Sequence, residues 1–253
     1  MKTIILAGGR GARLGPLTIM TPKPMIEIGG DPILVHIMRR YAKFGYHDFA
    51  IALGFKGEVI KRYIIDHGSL SGYVKVDFKT GEVSSDESPH ENWEVELIDT
   101  GAKSNTGARV RNLSRFIDGR FMLTYGDGLA DVDIAALVAF HESHGKLATL
   151  TAVRPLARFG HLQMDGGRVA RFSEKSQLNE GWINGGFFVL EPEVLDLIPE
   201  GSDVSFEVNV LQKLAADGQL MAYQHNSFWQ CMDTVRDREV LEALWETGDA
   251  PWI

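Results

Sequence analysis

The sequence predicts an α/β fold: a largely parallel sheet flanked by helices. Three observations predict it. The N-terminal third alternates short apolar runs with amphipathic stretches in the order strand, helix, strand, helix. The runs Thr3–Ala7, Phe49–Leu53 and Phe121–Tyr125 read as buried strands. Each of them opens directly onto a glycine-containing turn, at Gly8, Gly54 and Gly126.

In chain order, Thr3–Ala7 reads as the first strand and runs into the turn Gly8–Gly15. Pro32–Gly45 places apolar residues at helical spacing and ends on glycine, which predicts a helix with a glycine stop. Phe49–Gly54 is the second strand and Lys56–His67 the second helix. Val74–Lys79 reads as a strand, and the polar, acidic and turn-rich stretch Thr80–Asn92 as the best candidate for a mobile excursion. Trp93–Asp99 alternates apolar and polar residues, a strand pattern. Phe121–Tyr125 and Ala148–Val153 read as strands on either side of a helix at Ile134–Gly145. Further on, Val169–Phe172, Trp182–Leu190 and Leu220–His225 read as strands, and Glu193–Ile198, Phe206–Asp217 and Thr234–Thr247 as helices. With no repeat or linker visible, residues 1–253 read as one domain, with a nucleotide half to about residue 130 and a substrate half after it.

Composition narrows the function classes. Of the 253 residues, 44% are apolar and 24% charged, an ordinary globular balance. The 26 basic and 34 acidic residues give a net charge of −8, which disfavours generic nucleic-acid binding because that needs a basic face. The single cysteine, Cys231, cannot form an intrachain disulfide or a multi-cysteine zinc site, and fits a reducing compartment. The apolar run at the N-terminus is shorter than a secretory signal needs, and no stretch has the length of a membrane span, so a cytoplasmic, membrane-free protein is expected.

The first turn, Gly8-Gly9-Arg10-Gly11-Ala12-Arg13-Leu14-Gly15, carries the strongest local signal. Backbone N–H groups between a strand end and a helix can cradle phosphate, and glycine lets them approach it closely. The dinucleotide fingerprint fails because Leu14 stands where its last glycine is required. A P-loop fails because no Gly-Lys-Ser/Thr occurs. The residues leave open a phosphate loop or an ordinary surface turn. Lys23, held in Thr21-Pro22-Lys23-Pro24, favours the first, since flanking prolines stiffen the chain and let a lysine be aimed.

Asp127 follows a buried strand and lies between two glycines, where a carboxylate suits a hard cation such as magnesium. Asp131 and Asp133 read as caps of the helix beginning at Ile134. Asp233, at the head of the last helix, reads locally as an N-cap too. His141 and His144 do not fit the zinc-protease spacing and read as the polar side of a helix. No serine-hydrolase elbow is present, and no general base is evident. A phosphate nucleophile needs none, because its second pKa of about 6 leaves it mostly dianionic at neutral pH. What such chemistry needs is cations and alignment.

These residues, with Asp99-Thr100-Gly101, Thr106-Gly107, Tyr125-Gly126-Asp127-Gly128, Glu174-Lys175, Asn184-Gly185-Gly186 and Phe228-Trp229-Gln230 before Met232-Asp233-Thr234, resemble the sugar-1-phosphate nucleotidylyltransferases over nearly the whole chain. The Tyr-Gly-Asp-Gly and Met-Asp-Thr segments are similar to the cytidylyl branch. The resemblance implies a Rossmann-like nucleotidyltransferase fold with a mixed sheet. It implies a magnesium-dependent reaction in which CTP and glucose 1-phosphate give CDP-glucose and pyrophosphate. By motif position it implies that Leu6, Ala7, Gly8, Gly9, Arg10, Gly11, Ala12 and Arg13 hold the nucleotide, with Ser104, Thr106 and Arg109 beside it. Arg13 and Lys23 would stabilise charge in the transfer, and Asp127 and Asp233 would hold magnesium, against the local reading of Asp233 as a cap. Tyr125, Gly126, Asp127, Lys175, Asn184 and Gly185 would form the sugar-phosphate site. A homo-oligomer, a hexamer in this branch, is implied as well, with the stretch near residues 80–92 reaching a neighbour.

The sequence departs from the family at Ala12, where threonine is common, at Ser176, where proline is frequent, and in Ser205-Phe206-Glu207-Val208-Asn209-Val210-Leu211. A uridylyl- or thymidylyltransferase, or a non-catalytic nucleotide-sugar sensor, are the alternatives on the same fold. A nicotinamide oxidoreductase is disfavoured by the glycine spacing.

Overall fold

In a computed structural model of the chain, which describes residues 1–15, 17–69, 74–85, 91–155, 161–173 and 181–253, a seven-stranded sheet forms the centre. Its strands in chain order are β1 (Thr3–Ala7), β2 (Asp48–Leu53), β3 (Glu94–Asp99), β4 (Phe121–Tyr125), β5 (Ala148–Val153), β6 (Ile183–Leu190) and β7 (Leu220–His225). Their order across the sheet is β7-β5-β6-β4-β1-β2-β3. Neighbouring pairs are parallel except where β6 runs antiparallel between β5 and β4, so the sheet is mostly parallel and mixed as expected.

Side chains alternate faces along a strand, and both faces are covered. Ile5 of β1, Ile51 of β2 and Met122 of β4 pack under α1 (Ile33–Ala42), which contributes Ile33, Leu34, Ile37, Met38 and Tyr41. Ile4, Ala50 and Leu123 face the other way, onto Ala108 and Val110 of α3 (Thr106–Asn112) and onto Phe206 and Leu211. This two-sided burial explains why these strands are almost continuously apolar, with Thr3 and Thr124 as buried exceptions. Each fully buried Ile or Leu contributes roughly 1.5–3 kcal/mol.

Register decides where the site can be. Ala7 pairs with Leu53, Leu53 with Asp99, and Leu6 with Tyr125, so β1 to β4 all end on one edge of the sheet. The antiparallel β6 begins on that edge, with Phe187 opposite Thr124 and Ile183 opposite Val153. Turns after four strands and the start of a fifth therefore converge, the geometry in which open α/β sheets bind ligands.

Other elements are α2 (Gly57–Ser69), α4 (Ile134–His144), α5 (Gln212–Ala216) and α6 (Val235–Glu246). Gly145 ends α4 in the left-handed conformation at φ 62°, the expected glycine stop. The structure corrects several expectations. The excursion Thr80–Asn92 contains a strand, Glu82–Ser85, paired antiparallel with Val74–Asp77 through a turn in which Asp77 accepts from the Lys79 amide. Its polar composition hid the pairing, and residues 86–90 lie outside the described residues. Glu193–Ile198 is a 3₁₀ turn over Pro192–Leu197, opened by proline. The helix expected over Phe206–Asp217 is two pieces, a π-helical turn at Phe206–Leu211 and then α5. His141 is buried rather than on a polar face. Its ring bonds Thr149 at 2.8 Å and Glu191 at 3.2 Å, because α4 packs on β5. Asp133 caps α4 as read, by accepting from the Ala136 amide at 2.8 Å. Asp131 does not cap it, and its carboxylate accepts instead from the Ser227 hydroxyl. The helix α3 and the strand His161–Asp165 were not anticipated. Among the described residues no helix is long and apolar enough to cross a membrane.

Candidate active site

The turn after β1 lies over the sheet edge because its glycines let it. Gly11 adopts φ 61°, and a Cβ there would sit 3.0 Å from both the Lys23 and Thr18 side chains. Thr18 fixes the far side of the turn by donating to the Gly11 and Gly15 carbonyls. Lys23 opens a short 3₁₀ turn between its prolines, closed by the Met25 amide donating to the Pro22 carbonyl at 2.8 Å. The lysine is thereby buried, its stem lying against Gly11, and it lines the cavity above the loop.

The Lys23 ammonium donates to Asp127 Oδ2 and to Asp233 Oδ1, each at 2.6 Å. Burial works most strongly against the charge, but the Asp127 and Asp233 carboxylates outweigh it and hold the Lys23 ammonium above the usual lysine range. Arg13, largely exposed, donates to the other Asp233 oxygen at 2.9 Å.

The two carboxylates meet through a small antiparallel ribbon. Trp229–Cys231 pairs with Gly128–Ala130, and the Met232 amide donates to the Asp127 carbonyl at 2.8 Å. Gly126 makes the approach possible: a Cβ there would stand 2.9 Å from the Leu6 carbonyl oxygen, to which its own amide donates. Asp233 is not the N-cap of α6. Thr234 is, in a reciprocal capping box with Asp237, and this leaves the Asp233 carboxylate facing Lys23.

Two cavities adjoin here. The larger, about 460 Å³, is lined by Leu6, Ala7, Gly8, Gly9, Gly11, Lys23, Ser104, Thr106, Arg109 and Gly126, among others. The smaller, about 190 Å³, is lined by Gly185, Phe187, Trp229 and Cys231, among others. Arg13, Tyr125, Asp127 and Asp233 belong to both, so the acidic pair stands at their junction. The larger falls within the size range of small-ligand sites. Among the described residues no three His, Cys, Asp or Glu side chains cluster as a metal site. Two converging carboxylates fit magnesium, which binds through one or two carboxylates plus phosphate and water, and the Lys23 ammonium between them shows that the spot accepts a cation.

Most residues singled out from the sequence thus meet at one place. Arg10 is exposed and lines neither cavity. The Ala12 side chain and all of Lys175 lie outside the described residues. Asn184 lines neither cavity and is tied to the site through the Tyr125 hydroxyl, to which it donates at 3.1 Å. Arg109 lines the larger cavity, but its guanidinium is given to the scaffold. It donates to the Leu53, Gly101 and Gly8 carbonyls and to Thr100 Oγ1 at 2.7–3.0 Å, clamping together the turns after β1, β2 and β3. Arg109→Met should therefore destabilise the fold by about 3 kcal/mol, since it removes several hydrogen bonds from one buried charged donor that ties three turns together. Each carbonyl keeps another donor: the Phe55 amide at Gly8, the Thr100 amide at Leu53 and the Ser104 amide at Gly101. Urea unfolding measures this, and a loss below about 1 kcal/mol would show that the clamp is replaceable.

The local sequence did not mark Glu207, which accepts from Tyr125 and Thr106, or Trp229 as a site residue, although the departure at Ser205–Leu211 pointed to that segment. Cys231, at the smaller cavity, is inert: burial, then Asp233, pushes its thiol up to about 11.

The sequence pattern of the nucleotidyl transferase family matches residues 2–246. The chain is 48% identical to glucose-1-phosphate cytidylyltransferase of Salmonella typhi, over all of this chain and 98% of that enzyme. It is 40% identical to the probable glucose-1-phosphate cytidylyltransferase of Bacillus subtilis, over 100% and 99% of the two chains. HddC of Yersinia pseudotuberculosis, solved with GMP-PN, shares the fold with a TM-score of 0.70 at 22% identity, over 96% of this chain and 99% of that one. The chain belongs to the nucleotidyl transferase family.

Proposed function

We propose that this protein transfers the cytidylyl group of CTP to glucose 1-phosphate, giving CDP-glucose and pyrophosphate. The observation that carries the reaction type is the pair of adjoining cavities with Lys23, Arg13, Asp127 and Asp233 at or beside their junction. The full-length 48% identity to the Salmonella enzyme supports CTP and glucose as base and sugar.

The sugar-phosphate oxygen attacks the α-phosphorus of the nucleotide in line. The new O–P bond forms as the α–β bridge breaks, and pyrophosphate leaves with the electron pair. The amides of the turn Gly8–Arg13 face the triphosphate, and Lys23 and Arg13 offset the charge that develops on it. No base is required because the nucleophile is already ionised. Tyr125 and Gly185 line the sugar side, with Asn184 bonded to the Tyr125 hydroxyl, and by the resemblance of its motif Lys175 would bind the sugar phosphate. Asp127 and Asp233 would hold magnesium, which when bound supplies charge neutralisation between the phosphates and the carboxylates. The chain acts as one domain, its nucleotide half extending to about residue 130.

We place the enzyme in the cytoplasm, on its single cysteine and nucleotide substrate. We also infer a homo-oligomer: Val76, Phe78 and Val83 are exposed on the hairpin Val74–Ser85, an apolar surface suited to cover by a second copy.

Pyrophosphate release with magnesium and glucose 1-phosphate tests the reading, with CTP, UTP, dTTP, ATP and GTP side by side. Release with CTP alone is expected. A site hydrogen-bonded to the cytosine edge rejects uracil by about 10⁴-fold or more. Release with UTP or dTTP instead would keep the chemistry and overturn the base. Nucleotide binding without release from any of them would favour a sensor.

A further inference from the structure

Glu207 lies in the π-helical turn, far in sequence from the other site residues, and lines neither cavity. Its carboxylate nevertheless accepts three hydroxyls. Tyr125 donates to Oε1 at 2.6 Å, and Thr106 and Ser205 donate to Oε2 at 2.7 Å each. These are the lengths of charge-assisted O–H···O⁻ bonds. Burial works most strongly to raise its pKa, but the hydrogen bonds from Tyr125, Thr106 and Ser205 outweigh it and hold the carboxyl below the usual range. It is therefore ionised at neutral pH and can only accept.

The hydroxyls it holds are committed on their other side as well. Thr106 Oγ1 accepts from the Phe206 amide at 2.9 Å. The Tyr125 oxygen accepts from Asn184 Nδ2, and Asn184 Oδ1 accepts from the Gly186 amide at 2.9 Å. One relay thus runs from the first residue of α3, in the wall of the larger cavity, through Glu207 to Tyr125, which both cavities share, and on to the start of β6 beside the smaller one. Neither hydroxyl keeps a hydrogen for a ligand. Tyr125 presents its ring, and what Glu207 controls is the placement of the wall.

We infer that Glu207 is a positioning residue for both substrates, acting through Thr106 and Tyr125 to set the nucleotide side and the sugar side of the site relative to each other. The inference rests on the transfer reaction proposed above. A π-turn fits the role: the wider winding is an uncommon local distortion, often found at functional sites, and here it carries the segment that delivers the carboxylate.

Steady-state kinetics of Glu207→Gln, Tyr125→Phe and the double variant test it. Glutamine keeps the shape but puts a donor where hydroxyls already donate. In Glu207→Gln, kcat/KM should fall about 10–100-fold, the range for a hydrogen bond to a charged group. The fall should appear mainly as higher KM for both CTP and glucose 1-phosphate. The double variant should lose little more than the worse single one, because both cut the same relay.

Both KM values within about twofold of wild type, or additive losses in the cycle, would overturn the inference. If Glu207→Gln does not fold, Thr106→Val and Tyr125→Phe decide it with the carboxylate in place: raised KM values support the role and unchanged ones overturn it. Wild type run in the same assay separates the two claims. A wild type silent with every nucleotide overturns the reaction, and the positioning role is then read from the CTP dissociation constant by calorimetry, weakened in Glu207→Gln if the role holds and unchanged if it does not.

Discussion

Lys23→Met should lower kcat by about 10²–10³-fold, the loss typical when one preorganised donor to a developing charge is removed. Methionine keeps the buried stem that packs under Gly11, so the loop is retained. What disappears is the ammonium that bridges Asp127 and Asp233. Its loss leaves two carboxylates facing each other without the cation between them. The free chain should then be less stable by about 3 kcal/mol, the order found when one partner of a buried pair is removed, and millimolar magnesium should recover part of that. Melting with and without magnesium reads the second effect, and pyrophosphate release at saturating substrates reads the first. Near-normal turnover would remove Lys23 from the mechanism whatever the melting curves show.

Lys23 also shows what the sequence could reveal. The run Leu6–Leu14 and the Pro-Lys-Pro segment are local, and local rules of turns and prolines identify them without a structure. The strands β1, β2 and β4 were legible for a similar reason: burial on both faces demands a nearly continuous apolar run. Elements whose pattern is set by distant partners were not legible. The strand Glu82–Ser85 is polar and is made by its pairing with Val74–Asp77. Helix α3 is short and begins with Thr106-Gly107, poor helix formers, and is held by Asn105 at its N-terminus and by packing of Ala108 and Val110 on the sheet. The π-turn has a local cap in Ser205, but the place of Glu207 in the site follows from Thr106 and Tyr125, far away in the chain, which no local spacing encodes.

Arg109 teaches the converse. Its position beside the nucleotide side was expected, and it does line the larger cavity, yet its guanidinium is bonded to the scaffold through Gly8, Leu53, Thr100 and Gly101. A residue type in a motif indicates a place in the site, whereas the task it performs there depends on which acceptors the fold brings within reach. The carbonyls of Gly8, Leu53 and Gly101 already accept one backbone amide each, and a buried arginine, with five donors in one plane, is the group able to bond the second lone pair of several at once.

Asp233→Asn tests the step at which local reading and fold disagree most. At the head of a helix an aspartate is ordinarily a cap, and Asp133 is one. Asp233 is relieved of that task because Thr234 and Asp237 form the capping box one residue on. The ribbon with Gly128–Ala130 then carries it to Asp127. Asparagine keeps an oxygen for Lys23 and the size of the side chain, so folding should change little. The charge is lost, and with it a hard ligand for magnesium. Turnover at fixed magnesium should fall about 10²-fold or more, the range seen for removal of one group that stabilises developing charge, and the midpoint of a magnesium titration should move to higher concentration. Asp133→Ala is the control: it should cost about 1 kcal/mol of stability as a lost cap and leave the titration where it was. An unmoved midpoint in Asp233→Asn would return Asp233 to a purely electrostatic partnership with Lys23 and Arg13, and would leave Asp127 as the carboxylate that meets the metal.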